Sequence, residues 1–568
     1  MHIHVVPNRG SPPTVLLRES YREGAKVRKR TLANLSSLSL AQVEAMRAVL
    51  RVEELRPVAQ CFEITASRSH GHVQAILVAM QRLGFAALIA SKPGRERDLV
   101  LAMVAARIVA PQTKLATSRW WHTTTLAEDF AVADASEDDL YAAMDWLLQR
   151  QERIQNKLAA RHLRAGGLVL YDLSSSYFEG ITCPLAKRGY SRDGKPGTLQ
   201  VNYGLLTDAR GCPVAVSVHE GNTADSTTFM PEVQRLRQSF GIERMVMVGD
   251  RGMIAQKAID AMRETDGIGW ITALKSASIR VLIEQGQLQL GLFDERNLLE
   301  LSSPDYPGER LVACRNPQLA KLRAHKREAL LCATEISLAK IKARVDAAKL
   351  SGQDAIGLRV GKIVNQYKVA KHFQLSIGDT AFAFQRTHDS IAAEAALDGL
   401  YIIRTSVPAA QMDAPDCVRN YKSLANVERA FRSLKTIDLK VRPIHHHLAD
   451  RVRAHIFLCT LAYYVEWHLR EAWRELMFAD TDQQAKATRD PVAPAKRSPA
   501  ALAKIASKLL DDDTPAHSFA TLMAELATIV RNTCRTPSTG PNAPTFDILT
   551  TPNPKQRRAL DLLQQIQL

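Results

Sequence analysis

The sequence predicts an α/β protein whose sheet core is interrupted by a mixed, strand-containing insertion and preceded by a mainly helical N-terminal domain. Three observations predict this. Between 40 and 163, apolar residues recur at helical spacing, as in Leu99–Val109 and Leu140–Leu158. At 167 the pattern changes to short apolar runs bounded by turn residues, which is how buried strands read. Those runs come as three strands, a helix, a strand, a helix and a strand, the order of an RNase H-like core.

Taken in order, Thr14–Tyr21 and Lys26–Leu35 flank a polar turn, Arg22 to Ala25, and predict a β-hairpin. Arg18, Arg22, Lys26, Arg28, Lys29 and Arg30 make it basic, which suits either a solvated edge ribbon or a DNA contact. Gly167–Tyr171 is a buried strand that runs into Asp172. Leu199–Leu206 and Pro213–Val218 follow, joined through Asp208–Gly211 in a hairpin. Ser226–Phe240 reads as a helix, and Met245–Gly249 as a buried strand running into Asp250. Helix Ala255–Glu264 and strand Ile268–Leu274 close the run. The interruption mixes strand-like segments (Arg359–Val364, Ala381–Phe384, Gly399–Arg404) with a basic helix, Gln318–Lys349, which suits a solvated face or a DNA track equally. Helices over Tyr421–Thr436 and His447–Trp473 resume the core. Residues 480–500 read as a linker and Thr533–Gln556, with five prolines, as irregular chain. The expected domains are 1–163 (basic hairpin and helices, binding end DNA), 164–275 (first part of the core), 276–405 (insertion), 406–478 (second part) and 479–568 (linker and tail, with a role in oligomerisation).

Composition narrows the function. The chain has 568 residues, 46% of them apolar, which excludes a disordered chain and implies several domains. Lys and Arg number 75 against 59 Asp and Glu, and a net charge of +16 favours a polyanionic partner. None of the eight cysteines stands in a Cys-x-x-Cys pair, which argues against a zinc site built on that motif and suits a reducing cytoplasm. Met1–Gly10 lacks the apolar stretch of a signal peptide, and no apolar run approaches the ~20 residues of a membrane helix, so no membrane partner is expected.

Two strands leading into aspartates place two carboxylates where α/β sheets carry their ligands. Either one alone reads more simply as a turn or helix cap. In NYKSLANVERAFRSLKT, Tyr421, Glu428 and Lys435 are spaced by seven, one stripe of a helix whose apolar face is Leu424, Val427, Phe431 and Leu434. Alone this is an amphipathic helix with a charged shoulder.

Together, Asp172, Asp250 and the pattern Y-x2-L-x3-E-x6-K resemble the DDE transposases of bacterial insertion sequences, specifically the branch with an insertion between the second Asp and the Glu. The resemblance runs from SPPTVLLRESYREGAKVRKRTLANLS through DLSSSYFEG, GDRGM, YPGERLVACRNP, IGLRVGK and ALDGLYIIRT to VERAFRSLKT and RVRAHIFLCTLAYYVEWH. It implies metal-dependent cleavage at insertion-sequence ends and strand transfer into target DNA, passing through a hairpin at the element's end. Asp172, Asp250 and Glu428 would hold two Mg²⁺, with Mn²⁺ able to substitute. Lys435 would bind a phosphate as a point charge and Tyr421 would hydrogen-bond or stack beside it. Where the signature usually has Arg, three residues after the Tyr, this chain has Leu424, and Arg432 is the candidate to replace it. Double-stranded DNA is the expected partner, with a homodimer assembled on it and a cytoplasmic, nucleoid-associated location.

Other residues are candidates beside these. Lys187, Arg188, Arg192 and Lys195, beside Tyr190, would track a DNA backbone from the loop CPLAKRGYSRDGKPG, or form a solvated loop. Glu220 in HEGNTAD suits a turn better than a ligand, and His445, His446 and His447 cannot all face one ion. Trp146, Trp270 and Trp467 read as core. The competing functions are an RNase H-like nuclease that does not join ends, and a catalytically silent DNA-binding repressor derived from a transposase; three intact carboxylates argue against the second.

Overall fold

The computed structural model describes residues 1–52, 61–289, 291, 293–536 and 544–567. Its packing divides the chain into two compact units, Met1–Arg68 with Val530–Thr551, and Ser69–Ile529 with Pro552–Leu568.

In the first unit, β1 (His2–Val6), β2 (Thr14–Glu23) and β3 (Lys26–Asn34) form an antiparallel sheet in that order. The hairpin turn is tighter than the sequence predicts: Glu23 pairs with Lys26 across Gly24, whose φ of +64° a side chain would disfavour. Ser39 and Gln42 cap each other's backbone to start α1 (Leu40–Leu50). β4 (Glu63–Ser69) belongs to a second small sheet, completed by strands from the end of the chain.

The second unit begins with α2 (Gly71–Arg82), α3 (Phe85–Ile89), α4 (Arg95–Val109), α5 (Lys114–Trp120), α6 (Leu126–Asp129), α7 (Glu137–Leu148) and α8 (Gln151–His162). Their buried residues belong to the same hydrophobic cluster as the sheet. The segment expected as one N-terminal domain, 1–163, is therefore shared: the basic hairpin lies in the first unit and α2–α8 pack with the core. No single helix among the described residues is long and apolar enough to cross a membrane.

The sheet is built from β5 (Leu168–Tyr177), β6 (Lys187–Arg188), β7 (Leu199–Asp208) and β8 (Pro213–Glu220), then α9 (Asp225–Gln238), β9 (Met245–Val248), α10 (Gln256–Arg263) and β10 (Ile268–Ala273). The first three long strands are antiparallel, while β9 runs parallel to β5 and β10 to β9, giving the RNase H-like order β8-β7-β5-β9-β10. Next come α11 (Ser276–Glu284), β11 (Leu298–Leu301), β12 (Arg310–Arg315), α12 (Pro317–Asp346), α13 (Gln353–Gln366), β13 (Phe373–Ile377), β14 (Phe382–Arg386), α14 (His388–Ala395) and β15 (Leu400–Thr405). β15, β12 and β11 extend the same sheet beyond β10, so part of the insertion continues the core. Leu331, Leu338, Ile356, Val360, Phe373 and Phe382 form a separate small core between α12, α13, β13 and β14. The strand expected over Arg359–Val364 is helical, because Ile356, Val360 and Val364, four apart, make one buried face.

The core resumes with α15 (Ala414–Lys422), α16 (Leu424–Arg432), a π-helical turn over Ser433–Ile437 and α17 (Ala449–Ala472). The helix expected across Tyr421–Thr436 is thus broken at Ser423. α17 is buried along most of its length, at the centre of the molecule's main core. α18 (Gln483–Thr488), α19 (Pro499–Ser507) and α20 (Phe519–Ala527) follow, then β16 (Val530–Arg535), β17 (Thr545–Leu549) and α21 (Pro554–Leu563). The 480–500 linker and the 533–556 tail therefore carry regular structure; 537–543 lies outside the described residues. β17, β16 and β4 form the second small sheet, and Asn553 caps α21 with Pro554 in its first turn.

Gly204, opposite Leu173 in the β5–β7 ladder, has no room for a side chain: a Cβ there would lie 2.6 Å from Tyr171 Cζ. Gly357, in α13, has nothing within 4 Å. Gly204→Ala is expected to destabilise by about 1–3 kcal/mol through overpacking, and Gly357→Ala to stabilise by about 0.5–1 kcal/mol. Thermal and urea unfolding of the two variants checks the opposite signs.

Candidate active site

The register of two strands builds the site. β5 pairs with β9 in parallel, Leu168 with Val246, Val169 with Met247 and Leu170 with Val248. Asp172 and Asp250 each lie two residues further on, so they leave neighbouring strands at one level. They differ in setting. β5 does not end at Asp172, as the sequence suggests, but continues to Tyr177 because β7 still pairs with it there, Asp172 opposite Leu205. β9 stops at Val248, and Asp250 opens the turn beyond, its Oδ1 accepting the N–H groups of Gly252 and Met253 at 2.8 Å each. A Cβ on Gly252 would lie 3.3 Å from Asp250 Oδ1, so the glycine leaves the carboxylate space.

Glu428 arrives on α16. Val427, Ala430 and Phe431 are the buried face of that helix, and Phe431 meets Tyr203 of β7 edge-on at 5.7 Å. Glu428 is exposed, on the side that faces the sheet's two aspartates. Asp172, Asp250 and Glu428 line one open cleft of about 390 Å³, together with Arg192, Asp193, Asp225, Arg432, Lys435 and Arg442. Burial pushes the Asp172 carboxyl up to about 7; Asp250 and Glu428 add to the rise, while the Leu173 N–H and Arg192 oppose it. Three oxygen donors whose charges repel one another suit a hard divalent cation.

The other sequence candidates are spread more widely. Arg432 is exposed and lines the cleft. Lys435 sits in the π-helical turn, buried, with its Nζ 3.0 Å from Asp193 Oδ1. Asp193, its side chain only 2% exposed, also pairs with Arg442 and accepts the Tyr177 N–H at 2.9 Å. Burial lowers the Lys435 pKa, and Asp193 opposes that. Arg192 is paired with Asp225. Tyr421 belongs to α15, is half-buried and is not among the residues lining the cleft; burial, with Asp250 next, raises its phenol to about 12. The Lys195 ammonium lies 3.6 Å from the Tyr177 ring centre, in a neighbouring cavity that shares Asp193, Lys435 and Arg442 with the cleft. Lys187 and Arg188 are exposed on β6, outside the cleft.

Arg28, Lys29 and Arg30 are exposed on β3 of the first unit, Arg28 paired with Glu23 at 2.6 Å and Arg30 with Glu19 at 2.8 Å. Glu220 ends β8 away from the cleft. The three histidines diverge: His447 bonds Thr182, while His446 packs on His455. Trp270 and Trp467 are buried, and Trp146 is half-buried under Arg150. Sequence reasoning missed Asp193, Asp225 and Arg442. Asp193 stands in a polar loop beside Gly and Ser and Asp225 opens α9 among Ser and Thr, where nothing local separates an ion-pair partner from a turn or cap residue.

A family model described as the transposase DDE domain matches residues 172–465, more than half of the chain, beginning at Asp172 itself. The chain belongs to the DDE transposase family. A second model, the N-terminal domain of IS1634 family transposases, matches residues 3–57 of this transposase. Among solved structures it is similar to piggyBac transposase in a synaptic complex with hairpin DNA, at 9% identity and a TM-score of 0.34, over 80% of this chain and 79% of that one. It is also similar to Mos1 transposase in a paired-end complex with the left transposon end, at 13% identity and a TM-score of 0.14, over 34% of this chain and 62% of that one. No match was found among curated proteins. The transposase is thus a metal-dependent, DNA-transposing enzyme of insertion-sequence type.

The raised Asp172 pKa has a signed consequence for the metal-free protein. Between the ordinary value, 3.8, and about 7, the folded state keeps a proton that the unfolded state has lost. The Asp172 contribution to stability therefore falls as pH rises through that window and levels off above it. In chelator, Asp172→Asn is expected to match the parent in Tm near pH 4 and to exceed it increasingly up to about pH 8. Thermal melts of the pair across that range check it, and an unchanging difference contradicts it.

Proposed function

We propose that this transposase cuts DNA at the ends of its insertion sequence and joins the freed ends to target DNA, with Asp172, Asp250 and Glu428 as catalytic ligands for two Mg²⁺ ions. What carries the reading is the convergence of three carboxylates in one cation-walled cleft, from positions separated by 78 and 178 residues. Ions held there supply activation of the attacking oxygen and charge neutralisation at the leaving one. An all-oxygen donor set in an open cleft favours Mg²⁺, with Mn²⁺ as a substitute.

The chain's own groups do the positioning. Arg432 is unpaired by any carboxylate among the described residues and reaches the cleft from the last turn of the Glu428 helix, where Leu424 cannot serve. Lys435 and Arg442, held side by side on Asp193, present a phosphate with two cations whose geometry is already fixed. Water is the first nucleophile and the freed 3′-hydroxyl the second, so no covalent link to the protein is needed. Tyr421, on α15 and outside the cleft lining, would hydrogen-bond or stack beside the bound phosphate. Lys187, Arg188, Arg192 and Lys195 track the DNA backbone beside the cleft, and Arg28, Lys29 and Arg30 contact the element's ends from the N-terminal hairpin. Two copies assembled on DNA would hold the two ends together.

Glu428→Gln keeps the size and helix preference of the side chain and removes a charge from the metal site. Mg²⁺-dependent cleavage of a labelled end should fall by at least about 100-fold, with end binding in a gel shift nearly unchanged. Near-equal cleavage rates remove Glu428 from the site. A protein that cleaves but never joins labelled ends to a target plasmid is a nuclease instead.

Replacing Arg28, Lys29 and Arg30 together by Ala in the full chain should weaken end binding and flatten its salt dependence by about 0.9 in log–log slope for each phosphate left without a neutralising cation. An unaltered slope contradicts a role for the hairpin in DNA binding.

A further inference from the structure

Away from the cleft, three metal-binding side chains meet. His162 ends α8, Cys212 stands in the turn between β7 and β8, and His468 lies on α17. One donor atom of each lies within 4.8 Å of the others, and Cys212 Sγ is 3.9 Å from His468 Nε2. We propose that His162, Cys212 and His468 bind a zinc ion that clamps the helical layer to the catalytic sheet. The proposal concerns residues outside the DDE cleft and does not depend on how that cleft works.

The donor set is the first reason. Two imidazoles and a thiolate suit borderline-soft zinc, as three carboxylates suit Mg²⁺. A tetrahedral ion with bonds of about 2.0–2.3 Å places its donors about 3.4–3.7 Å apart. The side chains here need to close from at most 4.8 Å, by up to about 1.4 Å, within the reach of small rotamer shifts. Burial supports the same reading. It lowers His162 to about 4 and His468 to about 3, so both rings are neutral at pH 7 with a lone pair to give. Cys212 is fully buried and its thiol is pushed up, so it would ionise only against a cation, releasing its proton to solvent as the metal–sulfur bond forms.

The surroundings are built for orientation and access. Tyr464 Oη lies 3.0 Å from His162 Nε2, and the His468 ring is held edge-on between Tyr464 and Trp467, each 4.8 Å away, which fixes both imidazole planes. A cavity of about 450 Å³ opens onto His162 and His468 and provides a route in. Glu471 lines it with both carboxylate oxygens held by Arg474, so the fourth position is open to water.

The clamp touches the catalytic helix at one point. Gly211, next to Cys212, packs so closely on α16 that a Cβ would lie 2.7 Å from Asn426 Cβ, and Asn426 donates to the Ala209 carbonyl at 3.3 Å. Asn426 is two residues from Glu428. An ion at Cys212 therefore ties α8 and α17 to the turn that supports the Glu428 helix.

The test uses the full-length chain, purified untagged under reducing conditions without chelator. Elemental analysis should find zinc in a one-to-one ratio with protein, and zinc should raise the Tm of the stripped chain. Replacement by Co²⁺ should give thiolate-to-cobalt charge transfer in the near ultraviolet and strong tetrahedral bands in the visible. Cys212→Ser and His468→Gln should lose the zinc and the charge-transfer band. Cys332→Ser, at an exposed cysteine, and Asp250→Asn, in the cleft, should keep both. If the buried-site variants do not fold, the parent's cobalt spectrum still decides. A parent without charge transfer, or zinc retained in Cys212→Ser, overturns the proposal.

Discussion

The parallel pairing of β5 with β9, Leu170 opposite Val248, is the constraint from which the cleft follows. It sets two carboxylates at one level on neighbouring strands in the interior of the sheet, Asp172 within β5 and Asp250 just beyond the end of β9. Packing on both faces of the sheet holds that register, because Val169, Leu170, Met247 and Val248 are buried and a slip of one residue would turn them to the wrong faces. Burial above all pushes the Asp172 carboxyl up to about 7, with Asp250 and Glu428 adding smaller contributions. A fold that keeps carboxylates together against their charge has already met much of the cost of arranging metal ligands.

The cations around the cleft are arranged in the same spirit. Lys435 and Arg442 share the buried carboxylate of Asp193, and Arg192 is paired with Asp225. These three cations share two carboxylates, which leaves one positive charge over, and their positions are fixed before any phosphate arrives. A substrate phosphate would compete with a carboxylate already in place, so these groups confer geometry more than raw attraction. Arg432 is the exposed exception and the group most open to a first encounter with DNA.

Much of this was legible in the sequence. Buried strands such as Met245–Val248 stand out as apolar runs, and their order alone identifies the core. Strand ends and helix spacing alone left Asp172, Asp250 and Glu428 as turn caps and a charged helix shoulder; the resemblance to the DDE transposases singled them out, and the structure brings those three to one cleft. The seven-residue spacing of Tyr421, Glu428 and Lys435 was partly misleading. It presumes one straight helix, whereas the chain breaks at Ser423 and loosens into a π-helical turn at Ser433, so Tyr421 lies on a different helix from Glu428. The segment Arg359–Val364 is helical and not a strand because its four-residue period of burial outweighs the β-branched residues within it. Long-range partners left no local mark. Asp193 meets Lys435 across 242 residues, and Cys212 meets His468 across 256.

Asp172, Asp250 and Glu428 are proposed to hold two divalent ions together. Anomalous diffraction from crystals of the full chain with Mn²⁺ and end DNA tests it most directly. Two peaks are expected in the cleft, about 3.5–4 Å apart, ligated between them by all three carboxylates. Manganese bound elsewhere, or a pair of ions that one of the three carboxylates does not touch, would contradict it.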